Sequence, residues 1–293
     1  LPLRSCELAL VLALAPGCSL VFPLADGDAP PPLDVSPDIA PPSVCPAPGE
    51  SPTFASPILH IIEARRCAQF TTSALAGLGV GPCDATGGVG SELFEGPLDG
   101  PLHPATITTQ HSTLHSAVIT PEGTQLVTLE SDGDEVFLVE TYSRVDDAWI
   151  HLAETQPAID AAGLLGAPSA GPAARIAFFD AAGRVVELAR AAGNVWEQAR
   201  SDDSPFGALQ PTTISGLHLT PNALGVMFTA DDPAEVGVRV LRYADRMTTN
   251  EPFGLTRAIE LSAESVFNDA SLTNDCGRIY LTDFTGLGYV TPQ

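Results

Sequence analysis

The sequence predicts an all-β fold, a β-propeller of about five (four to six) antiparallel blades, from three observations. The chain is rich in turn formers, with 26 Gly and 27 Pro in 293 residues, which favours short strands over long helices. A turn-and-strand unit recurs about every 50 residues, within the range of propeller blades. Its strands carry apolar residues on both faces, as in Val136, Leu138 and Glu140 against Phe137, Val139 and Thr141. Such strands suit a sheet packed on each side by neighbours, and radial stacking provides that.

Residues 1–17 read as an export signal. Arg4 supplies the positive start, and Leu8 to Ala15 is an apolar run of signal-peptide length. It is too short to span a bilayer, which needs ~20 apolar residues. Cys18 follows the small residues Ala15, Pro16 and Gly17. This junction resembles the bacterial lipobox, in which the cysteine becomes the lipid-modified first residue. Gly17 fits that pattern; Ala15 and Pro16 depart from it. The resemblance implies lipidation at Cys18, membrane attachment by that anchor alone, and a cell-envelope location, at the outer membrane facing periplasm or surface. Secretion without an anchor is the alternative.

Residues 18–56 read as a flexible tether. Nine prolines fall between residues 30 and 52, which forbids a regular hydrogen-bond ladder and favours extended conformations or disorder. At ~3.1 Å per residue, such a spacer holds a domain tens of ångströms from a membrane. The propeller domain is then 57–293. Ser56-Pro57 pairs a helix cap with a first-turn proline, so 57–84 reads as a helix or as two strands, with strands favoured from Arg66.

The repeat is clearest in three turns. VITPEGTQLVTLE (118–130), LHLTPNALGVMFTA (217–230) and ASLTNDCGRIYLTD (270–283) each give a strand, a Thr, a polar turn and a second strand. The turn positions are Thr120, Pro121, Gly123, Thr220, Pro221, Thr273 and Asp275. The Thr anchors lie 100 and 53 residues apart, which places a missing copy near residue 170, with a turn at Ser169–Pro172 and a strand at Arg175–Phe179. Further strands follow at Val136–Tyr142, Arg184–Arg190 and Val238–Tyr243. An aromatic series, Phe94, Trp149, Trp196 and Phe253, is spaced 55, 47 and 57 residues apart. These side chains read as interblade packing, with sugar stacking as the lesser alternative. The chain ends early in a repeat, so the last blade takes a strand from residues 58–110.

TPEGTQLVTLE, TPNALGVMFTA and TNDCGRIYLTD resemble the WD40-like (PD40, TolB-type) propeller repeat over roughly residues 110–293. Glu122, Asn222 and Asn274-Asp275 replace or shift that family's Asp. The whole arrangement also resembles myxobacterial-type envelope lipoproteins. The resemblance implies a fold, and for function only an outer-membrane scaffold role by analogy.

Thirteen basic residues, all Arg, face 36 acidic ones, for a net charge of −23. That argues against nucleic acid and against electrostatic docking on anionic lipid. After Cys6 and Cys18, four cysteines remain as disulfide candidates, Cys45, Cys67, Cys83 and Cys276, with all three connectivities open. If all four pair, one bridge ties the last repeat to the N-terminal region. The acidic turn 130–135 offers Asp132 and Asp134 as calcium ligands, but a hairpin turn on Asp132-Gly133 explains it as well; no other cofactor is expected. His111 and His115 lack a zinc-site pattern. There is no nucleophile elbow, phosphate loop or dinucleotide fingerprint, so no catalytic residue is assigned. The sequence therefore points to a non-enzymatic, envelope-anchored module that binds protein or envelope ligands. The alternative is a propeller enzyme, a glycan hydrolase or lyase with paired acids in its channel.

Overall fold

The structure, a computed structural model, describes residues 49–50, 60–63, 66–67, 69–73, 75–84, 91–133, 137–152, 174–180, 184–191, 196–202, 214–220, 222–232, 238–259, 269–273, 276–282 and 286–290. All belong to one compact unit, Pro41–Gln293. The signal segment, Cys18, Cys45, Pro221, Asp134, Asp275 and the turn at 169–172 lie outside the described residues. Within them the chain is all β, with no helix and therefore none long and apolar enough to cross a membrane.

The strands form antiparallel meanders in chain order. The first contains β2 (Thr71–Ser73), β3 (Leu78–Asp84), β4 (Ser91–Pro97) and β5 (His103–Pro104). The second contains β7 (Thr113–Ile119), β8 (Gln125–Ser131), β9 (Leu138–Val145) and β10 (Ala148–His151), with β6 (Thr106–Ile107) beside β10 in parallel. The third has β11 (Arg175–Phe179), β12 (Val185–Arg190) and β13 (Trp196–Asp202). The fourth has β14 (Ile214–Leu219), β15 (Gly225–Asp231), β16 (Arg239–Asp245) and β17 (Arg257–Ile259). A single pair, Ala177↔Leu217, joins the third and fourth into one seven-stranded sheet. The fifth has β18 (Asp269–Leu272), β19 (Ile279–Thr282) and β20 (Leu287–Val290), and its outer strand is β1 (His60–Glu63) from the start of the domain. The expected completion of the last sheet by an N-terminal strand is thus observed. The strand reading of 57–84 also holds, though strand begins at His60 rather than near Arg66.

Five apolar clusters fill the junctions between consecutive meanders. Leu78, Val80 and Leu93 meet Leu126, Tyr142 and Trp149 between the first and second. Val127 and Val139 meet Ile176, Phe178 and Trp196; Phe179 and Val185 meet Leu219 and Phe228; Met227 and Leu241 meet Leu272, Ile279 and Leu281. The fifth cluster joins the last meander back to the first: Tyr280 and Leu287 pack on Phe70, Phe94 and the Cys67–Cys83 disulfide. Each sheet has two apolar faces because each has two neighbours. Burying one large apolar side chain is worth about 1.5–3 kcal/mol, so the junctions carry most of the cohesion. Cys276 is also disulfide-bonded, to a partner outside the described residues.

The three Thr turns share one design. Thr120, Thr220 and Thr273 each accept, on the backbone carbonyl, the N–H three residues on, from Gly123, Ala223 and Cys276 at 2.8 Å. Each Thr Oγ1 accepts the N–H five residues on, from Gln125 (3.2 Å), Gly225 (2.8 Å) and Arg278 (2.9 Å). The residue at the third position is left-handed, with φ of 73°, 57° and 55°. Thr is therefore the constant residue, and the residue three on must tolerate positive φ. Only Gly123 does so without a Cβ penalty. Ala223→Gly is expected to raise stability by about 1 kcal/mol in urea unfolding; an unchanged or lower midpoint would count against this reading of the turn. Gly225 is fixed by contact instead: a Cβ there would run into the Tyr243 hydroxyl.

Candidate binding cleft

Polar side chains recur where meanders meet. Arg144 lies over Trp149, Arg190 over Trp196 and Arg246 over Phe253, at 5.4, 5.4 and 4.2 Å from ring centroids. A carboxylate from the preceding meander approaches each arginine. Glu95 accepts Trp149 Nε1 at 2.9 Å and lies 3.8 Å from Arg144; Glu122 lies 3.9 Å from Arg190. Glu187 takes both terminal nitrogens of Arg246, the second at 2.9 Å, and also Arg175 at 3.1 Å. The aromatics are sealed in, at 2%, 1% and 4% exposure, and present no plate to a sugar. Phe94, on β4, is likewise buried, in the junction between the last and first meanders. Sequence reading found the rings and missed the arginines, although each stands five to seven residues before its ring.

A second polar group was also missed. Glu130 and Glu140 are 0% and 1% exposed on neighbouring strands. Glu130 accepts Tyr142 OH at 2.7 Å, Thr128 Oγ1 at 2.6 Å, and the Gln110 and His111 N–H groups at 2.9 and 3.0 Å. Burial and this acceptor push the Tyr142 hydroxyl pKa up. Glu140 meets His151 Nε2 at 2.7 Å and His111 Nε2 at 3.4 Å. His111 Nδ1 meets Asp132 at 2.8 Å, and that bond holds the imidazole pKa above its ordinary value. His115 stands apart on Ser131 Oγ at 2.8 Å, and burial lowers its pKa. Alternating residues on β8 and β9 put both glutamates on one face. The sequence reading takes 130–135 as a metal or hairpin turn, whereas Glu130 points inward. Asp132 also accepts the Ser112 N–H at 3.0 Å. Among the described residues no three His, Cys, Asp or Glu side chains converge as a metal site.

These bonds fix the segment 108–112, one wall of a cleft of about 370 Å3. The cleft opens between the first and second meanders, at the end away from the Thr turns, where β4 and β7 begin. Leu93, Pro104, Ala105, Ile107 and Leu114 form its apolar surface. Ser91, Thr109 and Ser112 add hydroxyls, and Glu92 adds one exposed carboxylate. Glu130 and Glu140 are sealed beneath, with their oxygens already in hydrogen bonds. Chemically this is a preorganised recess with an acidic rim, backed by carboxylates engaged in holding structure.

The chain enters the domain at the other end. The Gly49 N–H donates to Asp245 Oδ2 at 2.5 Å, and Arg257 donates to the Glu50 carbonyl at 3.1 Å and to Asp245 at 2.7 Å. Asp245 closes β16, at the Thr-turn end. Gly49 and Glu50, expected within a free tether, are therefore seated on the fourth meander.

No protein-family model matches the chain, and no curated protein matches it in sequence. Solved structures do resemble it at low identity. A functionally unknown protein from Desulfotomaculum acetoxidans shares 15% identity over 74% of this chain, with a TM-score of 0.47, and the chain spans 62% of its length. A glycosyl hydrolase from Bacteroides ovatus shares 8% identity over 83% of this chain and 90% of its own, with a TM-score of 0.44. A gluconolactonase from Xanthomonas campestris shares 8% over 74% and 69%, with a TM-score of 0.43.

Proposed function

We propose that the domain is a five-bladed β-propeller that acts, tethered in the cell envelope through Cys18, as a non-enzymatic binding or scaffold module. The observation that carries this is the closed series of junctions: five meanders, five apolar clusters, and a first strand that completes the last sheet. Such a ring is a rigid frame for variable loops. The buried carboxylates Glu95, Glu130, Glu140 and Glu187 serve the frame.

The test is retention without turnover. The purified chain is expected to bind solubilised envelope material saturably and to release it with unchanged mass. Glycan cleavage by the purified wild type would overturn the proposal in favour of the enzyme. Anchoring is tested by labelling with a palmitate analogue in cells: Cys18→Ala is expected to abolish label, and equal labelling of both proteins removes the lipoprotein claim.

A further inference from the structure

We infer that the cleft between the first and second meanders takes a short peptide segment presenting an aliphatic side chain beside a lysine or arginine. This deepens the binding-module reading and rests on it. The apolar surface of Leu93, Ile107 and Leu114 offers a seat for an aliphatic side chain, and a volume of about 370 Å3 is at the small end for a ligand pocket. The rim is acidic. Glu92 lines it, exposed Asp84 sits directly opposite Ser91 in the ladder, and Asp132, 65% exposed, binds the Ser112 N–H. None of the lining residues is basic. A chain of net charge −23 also draws cationic partners at long range. The lining holds no aromatic, and Trp149, which packs in the same junction as Leu93 and Leu114, is only 2% exposed, so a sugar ring finds no stacking plate there.

The wall is built to hold its shape. A buried carboxylate is costly unless its lone pairs are used. Glu130 spends two of its hydrogen bonds on the Gln110 and His111 N–H groups, and Asp132 fixes the next one, on Ser112. Three successive N–H groups of the wall are thus held by side-chain carboxylates. Preorganisation of this kind lowers the ordering cost of binding. The cleft also opens at the end away from the seat of Gly49 and Glu50.

The experiment uses the full chain and a fluorescein-labelled hexapeptide of alternating leucine and lysine, read by fluorescence anisotropy at low and moderate salt. Binding is expected to saturate and to weaken with salt. A leucine–glutamate peptide is expected not to bind. Glu92→Lys, on an exposed side chain, is expected to weaken binding about tenfold, and Ser91→Trp, which fills the mouth, at least as much. Equal binding to the wild type and both variants, or no saturable binding, overturns the cleft assignment. Displacement of the probe by diacetylchitobiose overturns the peptide class in favour of a glycan. Each of these outcomes leaves the binding-module reading to the retention assay, whose failure is seen separately as turnover or as no retained ligand.

Discussion

Arg246→Ala is expected to destabilise the domain by about 3–5 kcal/mol, the usual cost of leaving one member of a buried ion pair alone. Arg246 has a fully buried side chain, and Glu187 is 2% exposed. The guanidinium also donates to the Ala223 carbonyl at 3.0 Å and the Glu251 carbonyl at 3.3 Å, and covers Phe253. Removing it takes from Glu187 its fully buried partner, leaving only the more exposed Arg175 on that carboxylate, and frees two carbonyls. Glu187→Ala is expected to cost a similar amount, because a buried cation is then left without its anion. Arg175→Ala is the internal control. Its side chain is 18% exposed and it reaches the same Glu187, so loss of about 1 kcal/mol is expected. Urea unfolding at pH 7.5 measures all three. A loss below 1 kcal/mol for both Arg246→Ala and Glu187→Ala would show that the pair is not a tie between meanders. The double variant is expected to lose less than the sum, since the two groups act as one.

Legibility in the sequence followed chemistry that is local. The Thr turns were readable because their hydrogen bonds close within five residues, so the pattern survives in a short window. The strand at Arg175–Phe179 and the completion of the last sheet followed from spacing, because a repeat must fill its sheet. Trp149 and Trp196 were readable as buried by size and spacing. The partners were not. Glu95 and Trp149 are 54 residues apart, and Glu187 and Arg246 are 59 apart. Nothing in one repeat states which carboxylate of the preceding repeat will face its arginine. The cleft was hidden for a related reason. Its wall, 108–112, has neither the alternation of a strand nor a turn signature, and it is fixed by Glu130, some 20 residues on. Glu130 opens a run of acids whose other members belong to a turn, so the run by itself does not give its direction. One register position decides the matter: Glu130 pairs with Leu138 and shares its face with Thr128 and Glu140, so it points inward. Seating of Gly49 and Glu50 was equally illegible, because a proline-rich segment docks through isolated backbone groups, which carry no residue signature.

Acid is expected to destabilise the domain well above the range in which carboxylates titrate, through His218. This residue lies on β14, fully buried, and burial drives its pKa down from 6.5 to about 3. The unfolded chain therefore binds one more proton than the native state at any pH between those values. Stability then falls as pH drops below about 6.5, by up to about 1.4 kcal/mol per pH unit, or about 2 kcal/mol by pH 5. His115, also lowered by burial, adds in the same direction. His111 acts oppositely. Its pKa is raised, chiefly by the hydrogen bond to Asp132, so its contribution is complete below 6.5 and is lost as pH rises through the folded value. Asp245 enters only lower. Burial raises its pKa, but the Gly49 N–H and Arg257 outweigh that and hold it below the ordinary carboxylate value. His218→Gln removes the titration while keeping a polar side chain of similar reach. It is expected to lower stability at pH 7.5 and to flatten the fall between pH 7.5 and 5.0, as measured by urea midpoints at half-unit intervals. The slope is the diagnostic quantity, since any core substitution changes the intercept. A variant that loses as much as the wild type over that interval would place the acid sensitivity elsewhere, and His115→Gln would then be the next position to test.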